Sequence, residues 1–204
     1  MENIYHRYLD FPFEIQKYHL MDTVPDNVQH IDINPYRDRL LEALHERLEI
    51  YTQHTEIFYT PPNGGEVPIH TDNKQVDSRA KINITWGPEE GIVKWWTSTK
   101  GVLTFDDGEA TKQFDKYQAD KNWSNVPTEN HTLALGKEED CTLVYTANTN
   151  KVSLVNVGEL HSTYNPHPTE GRWTLCFIPV SNKIRNGEYL TFQEALEIYK
   201  DYVI

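Results

Sequence analysis

Cysteine is scarce in this chain. Cys141 and Cys176 are the only two in 204 residues, far apart and without a Cys-x-x-Cys spacing, which argues against a disulfide framework or a redox pair. Both stand in apolar, strand-like stretches and read as reduced core residues. Apolar runs of about 18 residues are missing too. The opening MENIYHRYLDFPFEIQ is too polar and aromatic for a secretory leader. A cytoplasmic protein with no membrane span is therefore expected, and the Asn-x-Ser/Thr triplets at Asn83, Asn122 and Asn130 would not meet the glycosylation machinery. Basic residues are outnumbered 19 to 31, for a formal charge of −12. That balance repels a phosphate backbone, so no nucleic-acid partner is expected. No repeat, low-complexity tract or Gly/Ser linker marks a boundary, and residues 1–204 are expected to form a single domain.

What is present is aromatic and β-prone. Twelve tyrosines and five tryptophans are too many for a disordered chain. Short strand-like runs recur as EIFYT (56–60), VPIHTD (67–72), AKINITW (80–86), IVKWW (92–96), TLVYT (142–146), VSLVNVG (152–158) and WTLCFIPV (173–180), separated by turn signals such as PPNGGE, GPEEG and NPHPTEG. Strands without intervening helices predict an antiparallel sandwich or barrel over about 56–180. Two helices flank it. One is expected over 34–51, capped by Asn34 with Pro35 in its first turn and Leu40, Leu41, Leu44 and Leu48 at helical spacing. The other is expected over 191–203, opened by a Thr191/Glu194 capping box. The polar stretch from about Phe105 to Asp140 reads as an excursion or insertion.

Three features fall at strand ends. His70 and Asp72 are two residues apart, so an extended backbone aims both at one point. His161 closes the run VSLVNVGEL, and Arg172 precedes WTLCFIPV with Thr174 on the same face. Two histidines and one carboxylate form a facial triad that suits Fe(II) and leaves three coordination positions open. A bidentate 2-oxo acid needs two of them and dioxygen one. An arginine fork beside a hydroxyl suits the far carboxylate of a dicarboxylic cosubstrate.

His70-x-Asp72, His161 and Arg172-Trp173-Thr174 resemble the His-x-Asp…His…Arg-x-Ser/Thr pattern of the 2-oxoglutarate- and Fe(II)-dependent oxygenases. The order of residues 56–180 follows that family, and His161-x-x-x-Asn165 is similar to its aspartyl/asparaginyl β-hydroxylase-like branch and to small phage and bacterial relatives. The resemblance implies a double-stranded β-helix, a mainly β jelly-roll of cupin-like type with flanking helices. It implies Fe(II) on His70, Asp72 and His161, and 2-oxoglutarate held by Arg172 and Thr174. Tyr59 on the first core strand and Asn83 on the third stand where family members contact the cosubstrate. It further implies hydroxylation of a C–H bond in a small metabolite or a peptidyl side chain, with release of succinate and carbon dioxide. Related halogenases carry a small residue at the position of Asp72. The competing reading is a non-catalytic cupin-like barrel that binds a metal or small ligand.

Rivals exist for two positions. His167 competes with His161, but it lies between prolines in a turn, whereas strand-borne ligands are held more rigidly. Arg79 competes with Arg172 and reads as an exposed ion-pairing residue. His6, His19, His30, His45 and His54 read as solvated or structural, and Trp86, Trp95 and Trp96 as core or sheet-face residues. Oligomeric state leaves no mark in the sequence.

Overall fold

The computed structural model describes residues 3–12, 15–25, 29–33, 39–64, 68–72, 79–104, 108–120, 134–181 and 188–204. In chain order the elements are β1 (His6–Tyr8), β2 (Gln29–Ile33), α1 (Arg39–Leu48), β3 (Tyr51–Thr60), β4 (His70–Thr71), β5 (Ala80–Trp86), β6 (Ile92–Ser98) and β7 (Leu103–Thr104). They continue with α2 (Glu109–Asp120), β8 (Ala134–Leu135), β9 (Cys141–Asn148), β10 (Ser153–Asn156), β11 (His161–Tyr164), β12 (Arg172–Val180) and α3 (Phe192–Ile198). Two six-stranded sheets result, ordered β1-β10-β5-β12-β3-β2 and β7-β8-β4-β11-β6-β9, with antiparallel pairing throughout.

From β3 to β6 the chain alternates between sheets at every strand, and from β9 to β12 it does so again. This interleaving places β3, β12, β5 and β10 in one layer and β4, β11, β6 and β9 in the other. It is the topology of a double-stranded β-helix, an antiparallel barrel as the strand runs predict and the particular fold that the family resemblance implies.

Strand alternation gives the first sheet two different faces. On β3, β5 and β12 the residues Ile57, Tyr59, Ala80, Ile82, Ile84, Trp173, Leu175 and Phe177 join Leu44 and Leu48 of α1 and Phe192 and Ala195 of α3 in one buried cluster. The opposite face looks into the barrel. Part of that interior is plugged by Val93, Trp95, Ala147, Val155 and Val157. The remainder is polar, and Phe58, Lys81, Asn83, Thr85 and Thr174 keep partial exposure although they lie on inner strands of the sheet. The inner face of the central strand β5 is thus polar and only partly buried.

The helix expected over 34–51 begins within the described residues at Arg39 and ends at Leu48; Asn34 and Pro35 lie outside them. Glu49 has φ 54, which breaks the helical turn, and Tyr51 already pairs with Val180 of β12. β3 is therefore ten residues long, twice the run EIFYT. The capping box at Thr191 and Glu194 is formed and starts α3, which gives way to a short 3-10 turn at Lys200–Tyr202. Within 105–140 the described residues are not a simple excursion. They hold α2, with Ala110 buried against Leu135, and β8, which pairs with both β4 and β7. The two cysteines are free. No helix among the described residues is long and apolar enough to cross a membrane.

Candidate metal centre

His70 and His161 are direct cross-strand partners on β4 and β11. Opposed residues in an antiparallel pair share a face, so both imidazoles enter the barrel, with ring centroids 4.4 Å apart. Asp72 follows two residues after His70, and its backbone N–H donates to Val157 O at 2.9 Å, which extends the strand-like path and returns its carboxylate to the same side. Asp72 Oδ1 lies 3.1 Å from His70 Nε2 and 3.6 Å from His161 Nε2. The three ligand atoms all fall within 4.8 Å of one another. Adjacent corners of an octahedron with bonds of about 2.1 Å are about 3.0 Å apart, close to the two distances from Asp72 Oδ1.

The tautomers follow from the backbone. His70 Nδ1 lies 2.7 Å from Pro68 O and His161 Nδ1 2.9 Å from Glu159 O. A carbonyl only accepts, so each Nδ1 carries the proton and each Nε2 turns a lone pair inward. Burial lowers His161 to about 4 and keeps it neutral. For Asp72, burial alone would raise the pKa. The Lys81 ammonium beside it outweighs that and holds the carboxyl well below its usual range. Two lone pairs and one anion converge, a donor set that fits a divalent transition metal.

Lys81 enters from β5. Its ammonium contacts Asp72 Oδ2 and lies 3.6 Å from Glu56 Oε2 on β3. Glu56 is only 2% exposed, and Cys176 Sγ approaches its carboxylate at 3.7 Å. The sequence reading missed both Lys81 and Glu56. The alternation of AKINITW, with Ala80, Ile82 and Ile84 on one side and Lys81, Asn83 and Thr85 on the other, was the signal that could have found Lys81.

Arg172 opens β12 on the inner face and is 3% exposed. Its Nη1 donates to Thr149 Oγ1 at 2.9 Å, its Nε has no partner, and no carboxylate among the described residues pairs with it. Burial, with nothing to oppose it, lowers its pKa to about 10. Gly91 makes the room: a Cβ there would meet Arg172 Nη1 directly and Cδ at 2.8 Å. Thr174 stands opposite Thr85 of β5 on the same inner face, and the Thr85 hydroxyl is likewise buried without a partner. Asn83 also faces inward, opposite Cys176 and Ser153, with an unpartnered Oδ1.

Tyr59 is not brought to this interior. It is odd-numbered on β3, and the residues facing the barrel, Glu56 among them, are even. Tyr59 packs 4.9 Å from Trp173 in the helix-side core. The rival His167 accepts hydrogen bonds at Nδ1 from the backbone N–H groups of Thr169 and Glu170, at 3.4 and 2.9 Å, and so organises its own turn. Asn165 ties the loops together through Pro61 O and Glu170 O. Arg79 is not an exposed ion-pairing residue: it is buried, stacked 4.2 Å over the Tyr189 ring. His6 is buried too, with Nε2 3.0 Å from Ser153 Oγ, whereas the side chains of His30 and His54 lie outside the described residues. Trp95 is fully buried in the barrel plug.

No family model matches the chain, and no curated protein matches it in sequence. Among solved structures it is similar to HygX from Streptomyces hygroscopicus with nickel and 2-oxoglutarate bound, at 12% identity over 78% of this chain and 71% of that one, with a TM-score of 0.36. It is similar to an oxalate oxidase in complex with the substrate analogue glycolate, at 11% identity over 83% of this chain and 57% of that one, TM-score 0.34. It is also similar to E. coli ycfD, at 11% identity over 85% and 41%, TM-score 0.37. Likenesses at these scores add no weight to the strand order, which establishes the fold by itself.

Proposed function

We propose that this chain is an Fe(II)- and 2-oxoglutarate-dependent dioxygenase that hydroxylates a C–H bond of a small molecule or a peptidyl side chain. The observation that carries the reading is Arg172. A guanidinium almost wholly removed from water, with no anion beside it among the described residues, is costly, and it lies on the barrel's inner side, as the three-ligand cluster does. A dicarboxylate with one end on the metal and the other on Arg172 would answer both. Thr174, Thr85 and Asn83 supply further polar atoms along that inner face. His70, Asp72 and His161 would hold the metal, whose chemistry is the activation of dioxygen against the bound 2-oxo acid. The balanced reaction consumes 2-oxoglutarate, dioxygen and R–H and yields succinate, carbon dioxide and R–OH. Asp72 fills the position that a halide would need, which favours hydroxylation.

The chain's own part is to orient and to shield. The two Nδ1–H···O=C bonds fix the ring planes, and the apolar plug around Trp95 excludes water from one side. The net acidity of the protein argues against a nucleic-acid substrate. The test is anaerobic addition of Fe(II) and 2-oxoglutarate to the purified chain. A weak visible charge-transfer band is expected, absent from Asp72→Ala, followed by succinate release when peptide and metabolite pools are screened in air. Stoichiometric iron without the band would favour the cupin-like binding barrel. Folded protein that takes up no iron would refute both readings.

A further inference from the structure

The two oxygens of Asp72 have different surroundings. Oδ1 faces both imidazole Nε2 atoms, at 3.1 and 3.6 Å, whereas Oδ2 is in contact with the Lys81 ammonium. We propose that Lys81 is a positioning residue that presents Asp72 to a metal through Oδ1 alone. This rests on the metal centre proposed above.

A carboxylate on a hard or borderline cation binds through one oxygen or two. If Asp72 bound through both, it would occupy an additional position, and two places would remain where a bidentate cosubstrate and dioxygen together need three. An ammonium has three N–H donors and a compact charge, and here it is held on two sides. Its second contact is Glu56, 3.6 Å away and buried. The side chains of Lys81 and Asp72 are only 12% and 13% exposed, so water is a weak competitor for Oδ2.

Glu56 has its own part in the arrangement. Lys81 alone would cancel the charge of Asp72 and weaken it as a ligand. Glu56, Lys81 and Asp72 together carry one net negative charge, so Asp72 keeps its anionic character toward the metal while Oδ2 stays engaged. The Cys176 thiol at 3.7 Å from Glu56 lies on β12, between the strands that carry Glu56 and Lys81.

Lys81→Met alone would take the ammonium away from the buried Glu56 carboxylate, so the principal variant is Glu56→Gln with Lys81→Met, its folding checked by thermal unfolding. Co(II) serves as the spectroscopic probe, with 2-oxoglutarate titrated anaerobically onto the Co(II) form. Metal affinity within about tenfold of the parent is expected, with cosubstrate affinity at least tenfold weaker and an altered d–d spectrum before any cosubstrate is added. Lys81→Arg keeps a cation and leaves Glu56 paired, and it provides the same measurement if the double variant does not fold. It should hold cosubstrate affinity within about threefold of the parent. An unchanged spectrum and cosubstrate affinity in the double variant would overturn the role of Lys81 and leave the metal centre standing. Equal losses of metal and cosubstrate, or a Lys81→Arg chain as impaired for cosubstrate as the double variant, would overturn it too. A parent chain that gives no Co(II) spectrum would overturn the metal centre itself.

Discussion

Arg172→Met should make the ligand-free protein more stable while impairing its binding of 2-oxoglutarate. The guanidinium is 3% exposed, and burial lowers its pKa from the ordinary arginine value to about 10. At about 1.4 kcal/mol for each factor of ten in acidity, keeping it charged in that place costs the folded state about 3 kcal/mol. Arginine is protonated in both states at neutral pH. The cost is therefore fully present below pH 10 and is relieved only as pH rises through the folded value, so substitution is the practical probe. Methionine fills much of the same space without a charge. It forfeits the bond from Nη1 to Thr149, worth about 1 kcal/mol. The net gain is about 2 kcal/mol, or about 4–8 °C in Tm for a chain of this size. Removing one member of a buried charge pair costs about 2–5 kcal/mol in binding, so 2-oxoglutarate affinity should fall on the order of a hundredfold with metal affinity unchanged. Differential scanning fluorimetry of the metal-free chain and anaerobic calorimetry of the metal-loaded one read the two effects. A lower Tm in the variant, or cosubstrate affinity within about threefold of the parent, would refute the claim that Arg172 is a buried cation awaiting an anion.

Gly91→Ala should push the guanidinium from its place, because the new Cβ would overlap it; about tenfold weaker 2-oxoglutarate binding with intact metal binding is the expected calorimetric result. Tyr59→Phe removes a buried hydroxyl that has no partner and should raise stability by about 1 kcal/mol; any loss of cosubstrate affinity would contradict its placement in the helix-side core. Acid should destabilise the chain through His6, which burial and then the nearby Arg7 charge lower from 6.5 to about 4. Between those values the unfolded state binds the proton and the folded state does not, so stability is lost as pH falls from 6.5 toward 4, by about 2 kcal/mol at pH 5. Urea midpoints at pH 7 and pH 5 should show a shallower fall in His6→Gln than in the parent, while the slope from His161 in the metal-free form remains.

The sequence carried the parts of the site that depend on local spacing. His70 and Asp72 share a face because they are two apart, and WTLCFIPV announces the strand that Arg172 opens. Face, by contrast, is decided by one residue of parity, and nothing local to EIFYT says whether Glu56 or Tyr59 turns inward. That depends on β3 pairing with β12 and on which side α1 and α3 cover. Lys81 was hidden for a similar reason, since its partners Asp72 and Glu56 lie on other elements and only the assembled barrel brings the three together. The run from Glu109 to Asp120 was legible in principle: it lacks Pro and Gly and is rich in helix formers. Its polarity concealed it, because Glu109, Lys112, Asp115, Lys116 and Asp120 crowd the run with charge, and among its described side chains only Ala110 is buried.

Charge inside the barrel ties metal uptake to cosubstrate uptake. Glu56 and Asp72 are offset by Lys81 and Arg172, so these four inner groups sum to zero. Arg79, stacked on Tyr189 just before β5, adds one positive charge near Asp72. A divalent cation entering alone leaves two further uncompensated positive charges in a poorly solvated space, where electrostatic interactions are far stronger than in water. 2-Oxoglutarate entering alone finds Arg172 but faces the carboxylates of Asp72 and Glu56. Together, cation and dianion add no net charge. Each should therefore strengthen the other's binding by about 1–3 kcal/mol, or about 5–150-fold, and by the same factor in both directions. Mn(II) titrations with and without 2-oxoglutarate, and 2-oxoglutarate titrations with and without Mn(II), measure the two factors. Since Arg172 supplies the distant half of the coupling, Arg172→Met should reduce it. Independent binding in the parent chain, or coupling undiminished in the variant, would show that the interior charges do not act on the two ligands as one field.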